Sequence, residues 1–137
     1  MNHFKFSEFD CKGNCESCKL QGSSGKVNMD ADFLERLDFA RSIVRGNTPF
    51  VITSGYRCEA HNARVGGRQK SHSSKGSSHM YGYAADIAAT TSTARFQITQ
   101  ALIEAGFSRI GISAKGGFIY VDSDPDKSPG VLFLYPN

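Results

Sequence analysis

His79-Met80-Tyr81-Gly82-Tyr83-Ala84-Ala85-Asp86 sets an imidazole and a carboxylate seven positions apart, with only apolar, aromatic or small residues between them. Residues 83–89 are rich in alanine around a central Ile87 and read as a buried strand, with Gly82 as the turn into it. Asp86 therefore falls inside an apolar run, where a charge is costly unless it is paired or bound to a metal. His79 lies before the turn, on the loop. Two readings stand: half of a zinc site at the mouth of a strand, or a histidine hydrogen-bonded to a buried aspartate.

Residues 49–53 upstream form a strand by composition, ended by Gly55. Arg57 then sits on the loop beyond it, either as a surface charge or as a contact whose guanidinium fork suits a carboxylate. Further upstream, Phe33, Leu34, Leu37, Ala40, Ile43 and Val44 recur at helical spacing. Asp30 and Asp32 fit the cap and first turn of that helix, and Gly46 its end. Phe4, Phe6 and Phe9 read as anchors of an N-terminal arm, and residues 11–26 as a loop.

Downstream, Ser92 or Thr93 is the expected cap of a second helix, with Phe96, Ile98, Ala101, Leu102, Ile103 and Ala105 on its apolar face. Residues 107–113 and 117–122 read as strands joined at Lys115-Gly116-Gly117, and residues 131–135 as a last strand. Side chains alternate along a strand, so Tyr120 and Asp122 share one face and Val121 takes the other. The pattern predicts an α+β domain, helices packed on a mainly antiparallel sheet. Residues 67–76 are polar, basic and glycine-flanked. They read as a solvated loop or as a cleft rim that brings His72 or Lys70 to the site.

The chain has 137 residues, enough for one domain spanning 1–137 with a cysteine-bearing arm and loop over 1–27. Hydrophobic content of 39% and charged content of 21% fit an ordinary globular domain. The net charge of +3 is too mild and too mixed to argue for nucleic acid. No apolar run approaches the ~20 residues of a membrane span. Met1-Asn2-His3-Phe4-Lys5 shows no charged leader before an apolar core, so the expectation is synthesis in the cytoplasm without a signal peptide. Cys11, Cys15 and Cys18 cluster, and Cys58 stands alone after Arg57. A structural zinc, disulfides, and thiols without either are all open for these four.

The motif Ser77-x-His79-x-x-Gly82-x-Ala84-x-Asp86 resembles the metal motif of the zinc D-Ala-D-Ala carboxypeptidase family. Ser54-Gly55-Tyr56-Arg57, His61-Asn62 and Val65-Gly66-Gly67 resemble the segment before that motif in phage and bacterial members. Arg109-Ile110-Gly111-Ile112 and Phe118-Ile119-Tyr120-Val121-Asp122 resemble the segment after it. The similarity runs from about Phe6 to Asp122. It implies a hedgehog/DD-peptidase-like fold and a zinc-dependent peptidase acting, as a monomer, on peptidoglycan peptides that contain D-amino acids. The chain would reach the wall after release or as part of a phage particle.

The resemblance also implies roles. His79 and Asp86 are metal ligands, Ser77 and Arg57 contact substrate, and Arg57 steadies the transition state. Asp122 is a base or a carboxylate that orients a ligand. Two departures matter: Tyr120 stands where the family has its third ligand histidine, and Gly117 where several relatives have a general-base glutamate. Tyr120 ligates as phenolate, or His61 or the His72 loop completes the site, or the site is incomplete. The last case describes a catalytically impaired homologue that binds wall peptide or plays a structural part.

Overall fold

The computed structural model describes residues 1–13, 16, 18 and 24–137; Cys15 lies outside the described residues. A helical turn, α1 (Gly25–Asn28), begins where a loop was expected. Ser24 Oγ accepts the Lys26 N–H at 3.1 Å, and the Gly25 N–H donates to Asp10 Oδ1 at 2.6 Å. The first long helix, α2 (Ala31–Ile43), starts at Asp30, whose carboxylate accepts the Phe33 N–H at 2.9 Å. Phe33, Leu34, Leu37 and Ala40 are its buried stripe.

A shorter helix, α3 (Glu59–Arg64), follows β1 (Ile52–Ser54). The last helix, α4 (Ser92–Glu104), is capped by Thr91, one residue before the expected cap; Thr91 Oγ1 accepts the Ala94 N–H at 3.1 Å. Its buried stripe is narrower than expected. Ile98, Ala101 and Leu102 go inside, while Phe96 is 66% exposed and Ile103 56%. Of the three arm phenylalanines, Phe4 and Phe9 enter the core, and Phe6 is exposed.

Besides β1, the sheet contains β2 (Ala84–Ala88), β3 (Arg109–Ser113), β4 (Phe118–Asp122) and β5 (Val131–Leu134). Its order is β1-β2-β4-β3-β5. All neighbours are antiparallel except β3 and β5, which run parallel. This is the α+β arrangement expected.

Alternation divides the sheet into two faces. Ala85, Ile87, Ile110, Ile119 and Val121 meet Phe33, Leu37, Ile98 and Leu102 in one core. On the other face Asp86, Tyr120 and Gly111 form one row across β2, β4 and β3. A side chain at position 111 has no space, since a Cβ there would stand 2.5 Å from the Phe133 ring. Helices α2 and α4 thus hold one face and leave the other to polar chemistry. Among the described residues no helix is long and apolar enough to cross a membrane.

Candidate active site

His79 was expected on a loop; it stands on a 3-10 turn, Ser78–Tyr81. Ser77 Oγ accepts the His79 N–H at 3.3 Å and starts the turn. Gly82 ends it at φ +77°, and a Cβ there would lie 1.9 Å from the Asn28 carbonyl oxygen, so no other residue fits. The turn is bolted from behind. Ser78, fully buried, donates to Asp124 Oδ2 at 2.7 Å. Asp124 also accepts from Lys75 Nζ at 2.7 Å and from the Asp126 N–H at 3.0 Å.

Asp124 was not singled out from the sequence, where it reads only as part of a turn. Burial works against its charge, but Lys75 and Ser78 outweigh burial and hold the carboxyl below its ordinary value. Asp124→Ala strands these donors and should lower stability by about 1–3 kcal/mol, read as a drop in the denaturant midpoint at neutral pH. A depressed carboxyl stabilises above its unfolded pKa of about 3.9, and that contribution fades as pH falls through the folded value. The gap between wild type and Asp124→Ala should therefore narrow in acid.

The His79 and Asp86 side chains meet at the bottom of a cleft of about 500 Å³, and both are nearly sealed from solvent, at 2% and 5% exposure. His79 Nδ1 lies 2.8 Å from the Gly55 carbonyl oxygen. A carbonyl only accepts, so Nδ1 carries a proton and Nε2 is the ring nitrogen left for a ligand. That atom faces Asp86 Oδ1 at 3.4 Å. Among the described residues Asp86 Oδ1 has no hydrogen-bond partner. With a neutral His79 these are two buried acceptors in opposition, and a cation between them removes the cost. The donor set thus fits a zinc ion on two ligands, one nitrogen and one oxygen.

Arg57 is built into the site and is no surface charge. Its Nη2 donates to Asp86 Oδ2 at 3.1 Å, its Nε to Ser54 Oγ at 2.9 Å and its Nη1 to Asn62 Oδ1 at 3.3 Å. Its backbone N–H donates to the His79 carbonyl at 3.1 Å. Arg68, Arg109 and Lys127 also line the cleft and, with Arg57, make its lining predominantly cationic. Ser77 lines the cleft, as does Tyr135 from beyond β5. Asn62, which the resemblance includes beside His61 without a role, is fully buried on α3.

Tyr120 also lines the cleft, its ring edge-on to His79 with centroids 5.5 Å apart. Its hydroxyl donates to Asp122 Oδ2. Burial and the Asp122 charge push the phenol well above its ordinary range. Asp122 is 1% exposed and its carboxylate is filled with donors: Arg109 Nε at 2.9 and 3.1 Å, the Asp124 N–H at 3.0 Å, and Tyr120. It orients Tyr120 and does not line the cleft.

Neither His61 nor His72 lines the cleft. His61 packs on Gly13, where a Cβ would stand 2.5 Å from its ring. Burial and then Arg57 keep His61 below its ordinary pKa. Residues 66–68 of the polar loop reach the cleft rim, while His72 is exposed. Cys58, distant in sequence from the other cysteines, packs against Cys11 and Cys18 away from the cleft.

Comparison with curated proteins finds no match. The family model described as Peptidase M15 matches residues 2–122, which takes in every strand of the site from β1 to β4. With His79, Asp86 and Arg57 converging inside the matched span, this chain belongs to the Peptidase M15 family, a family of metallopeptidases.

Proposed function

We propose that this chain is a zinc peptidase for peptidoglycan peptides that contain D-amino acids, of D-Ala-D-Ala carboxypeptidase or endopeptidase type. The observation that carries the reading is the buried Asp86 Oδ1, without a hydrogen-bond partner among the described residues, facing His79 Nε2 at 3.4 Å. His79 and Asp86 would hold the zinc, with the Tyr120 oxygen as the third protein donor. Bound zinc supplies a water whose pKa falls to about 7 and a Lewis acid for the scissile carbonyl.

The chain's own groups do the rest. The Gly55 carbonyl fixes the His79 tautomer, so Nε2 stays a donor of electrons. Arg57 spends three of its five N–H groups on Ser54, Asn62 and Asp86, leaving two for a substrate carboxylate. Arg68 adds positive charge to the cleft lining. Phe118, Phe133 and Tyr135 give the peptide an apolar side to lie against.

A second reading, a homologue that binds wall peptide without cutting it, is favoured by one observation. Asp86 is the only acidic residue among the described residues that line the cleft, and none of these offers a second carboxylate to carry a proton. The discriminating assay is release of D-alanine from a synthetic stem peptide ending in D-Ala-D-Ala by the zinc-loaded chain. Chelator should stop the release. Arg57→Lys, which keeps the charge but loses the fork, should raise KM by about tenfold, or ~1.4 kcal/mol. Equal KM for both forms would remove Arg57 from substrate binding; binding of the peptide without release would select the second reading.

A further inference from the structure

Away from the cleft, three cysteines converge. The Sγ atoms of Cys11, Cys18 and Cys58 all lie within 4.8 Å of one another, and all three side chains are buried. Cys18 Sγ is 3.2 Å from Cys11 Sγ and 2.8 Å from Cys58 Sγ. A disulfide bond is about 2.05 Å long, so neither pair is bonded.

The cluster stands outside the main core, and among the described residues Tyr56 is the partly buried hydrophobic packed against it. Backbone amides also point at the sulfurs. The Cys58 N–H donates to Cys11 Sγ at 3.4 Å and the His61 N–H to Cys58 Sγ at 3.3 Å. Amide donors of this kind form the outer hydrogen-bond shell that a metal-bound sulfur uses.

We propose that Cys11, Cys18 and Cys58 hold a structural zinc ion as thiolates, separate from the cleft metal. Ligands at about 2.3 Å in a tetrahedron stand about 3.8 Å apart, a spacing the three sulfurs reach with small movements. Each thiol releases its proton to solvent as the metal binds. Soft sulfur donors select zinc over magnesium or calcium.

The centre would clamp two distant segments. Cys11 follows the arm whose Phe9 carbonyl accepts the Tyr56 N–H at 2.9 Å. Cys58 follows Arg57 directly and caps α3. Asn62 on that helix accepts from Arg57, and Arg64 Nη2 donates to the Gly13 carbonyl at 3.1 Å. Closing the thiolate centre thus fixes the arm, α3 and the backbone beside Arg57.

Cobalt(II) is the probe, loaded into the purified, reduced full chain. The wild type should show a thiolate-to-cobalt charge-transfer band, retained in His79→Ala and lost in Cys11→Ser and Cys58→Ser. The wild-type band does not depend on whether the serine variants fold. Its absence from cobalt-loaded wild type would overturn the proposal, as would its persistence in both serine variants. A disulfide among these three cysteines in the protein as isolated, found by mass spectrometry, would overturn it as well.

Discussion

Tyr120→His raises the zinc affinity of the cleft by about tenfold or more, at least ~1.4 kcal/mol, and raises peptide cleavage with it. The reason is the state of the phenol. An ordinary tyrosine holds its proton up to a pKa of about 10. Here burial and Asp122 push it higher, and the hydroxyl already donates to that carboxylate. As a ligand, Tyr120 must give up that hydrogen bond or bind as a neutral oxygen. Imidazole is neutral near pH 7 and offers a lone pair at no such cost.

Position 120 pairs with Asp86 across β2 and β4, so a histidine there projects from the same row. The released Asp122 keeps Arg109 and the Asp124 N–H as donors, which limits the damage to the fold. Wild type and variant should be compared by zinc titration and by D-alanine release. Equal affinities would mean that Tyr120 already ligates as phenolate. Tighter zinc with no cleavage would place the defect in proton transfer, in keeping with Gly117 and the single acidic residue among the described residues lining the cleft.

The parts of this molecule that rest on periodicity could be read from the sequence. The helical spacing of Phe33, Leu34, Leu37 and Ala40 matches the buried stripe of α2. Alternation along residues 118–122 puts Tyr120 beside Asp122 and sends Val121 to the core. The failures follow from contacts that periodicity does not encode. Helix α3 has the sequence Glu-Ala-His-Asn-Ala-Arg, with no apolar stripe, and it is held by the Cys58 cap and by Arg57. Phe96 faces solvent because it lies two positions before Ile98, about 200° round the helix, opposite the stripe of Ile98, Ala101 and Leu102.

The site divides the same way. The His79 and Asp86 spacing carried the suggestion of a metal, but the loop assignment missed the short turn that aims the imidazole. Arg57 alone reads as a surface charge; only the fold shows it against Asp86. Asp124, Asn62 and Ser78 look like turn and surface residues in sequence. Their importance comes from burial and from partners such as Lys75, 49 positions away from Asp124.

His79→Ala and Asp86→Ala should each abolish tight zinc binding at the cleft, weakening it by more than about a hundredfold, because each removes one of very few donors. D-Alanine release should fall to background in both. His79→Ala is the cleaner variant, since Asp86 keeps Arg57 as its partner. Asp86→Ala leaves the Arg57 guanidinium, only 13% exposed, without its carboxylate and adds a stability cost of several kcal/mol.

The most direct measurement is the zinc-binding isotherm of the wild type and His79→Ala side by side, with elemental analysis of both as purified. Metal at the His79–Asp86 pair predicts one more equivalent of zinc in the wild type than in His79→Ala, with any zinc at the thiolate centre common to both. Equal zinc content and affinity in the two proteins would contradict it.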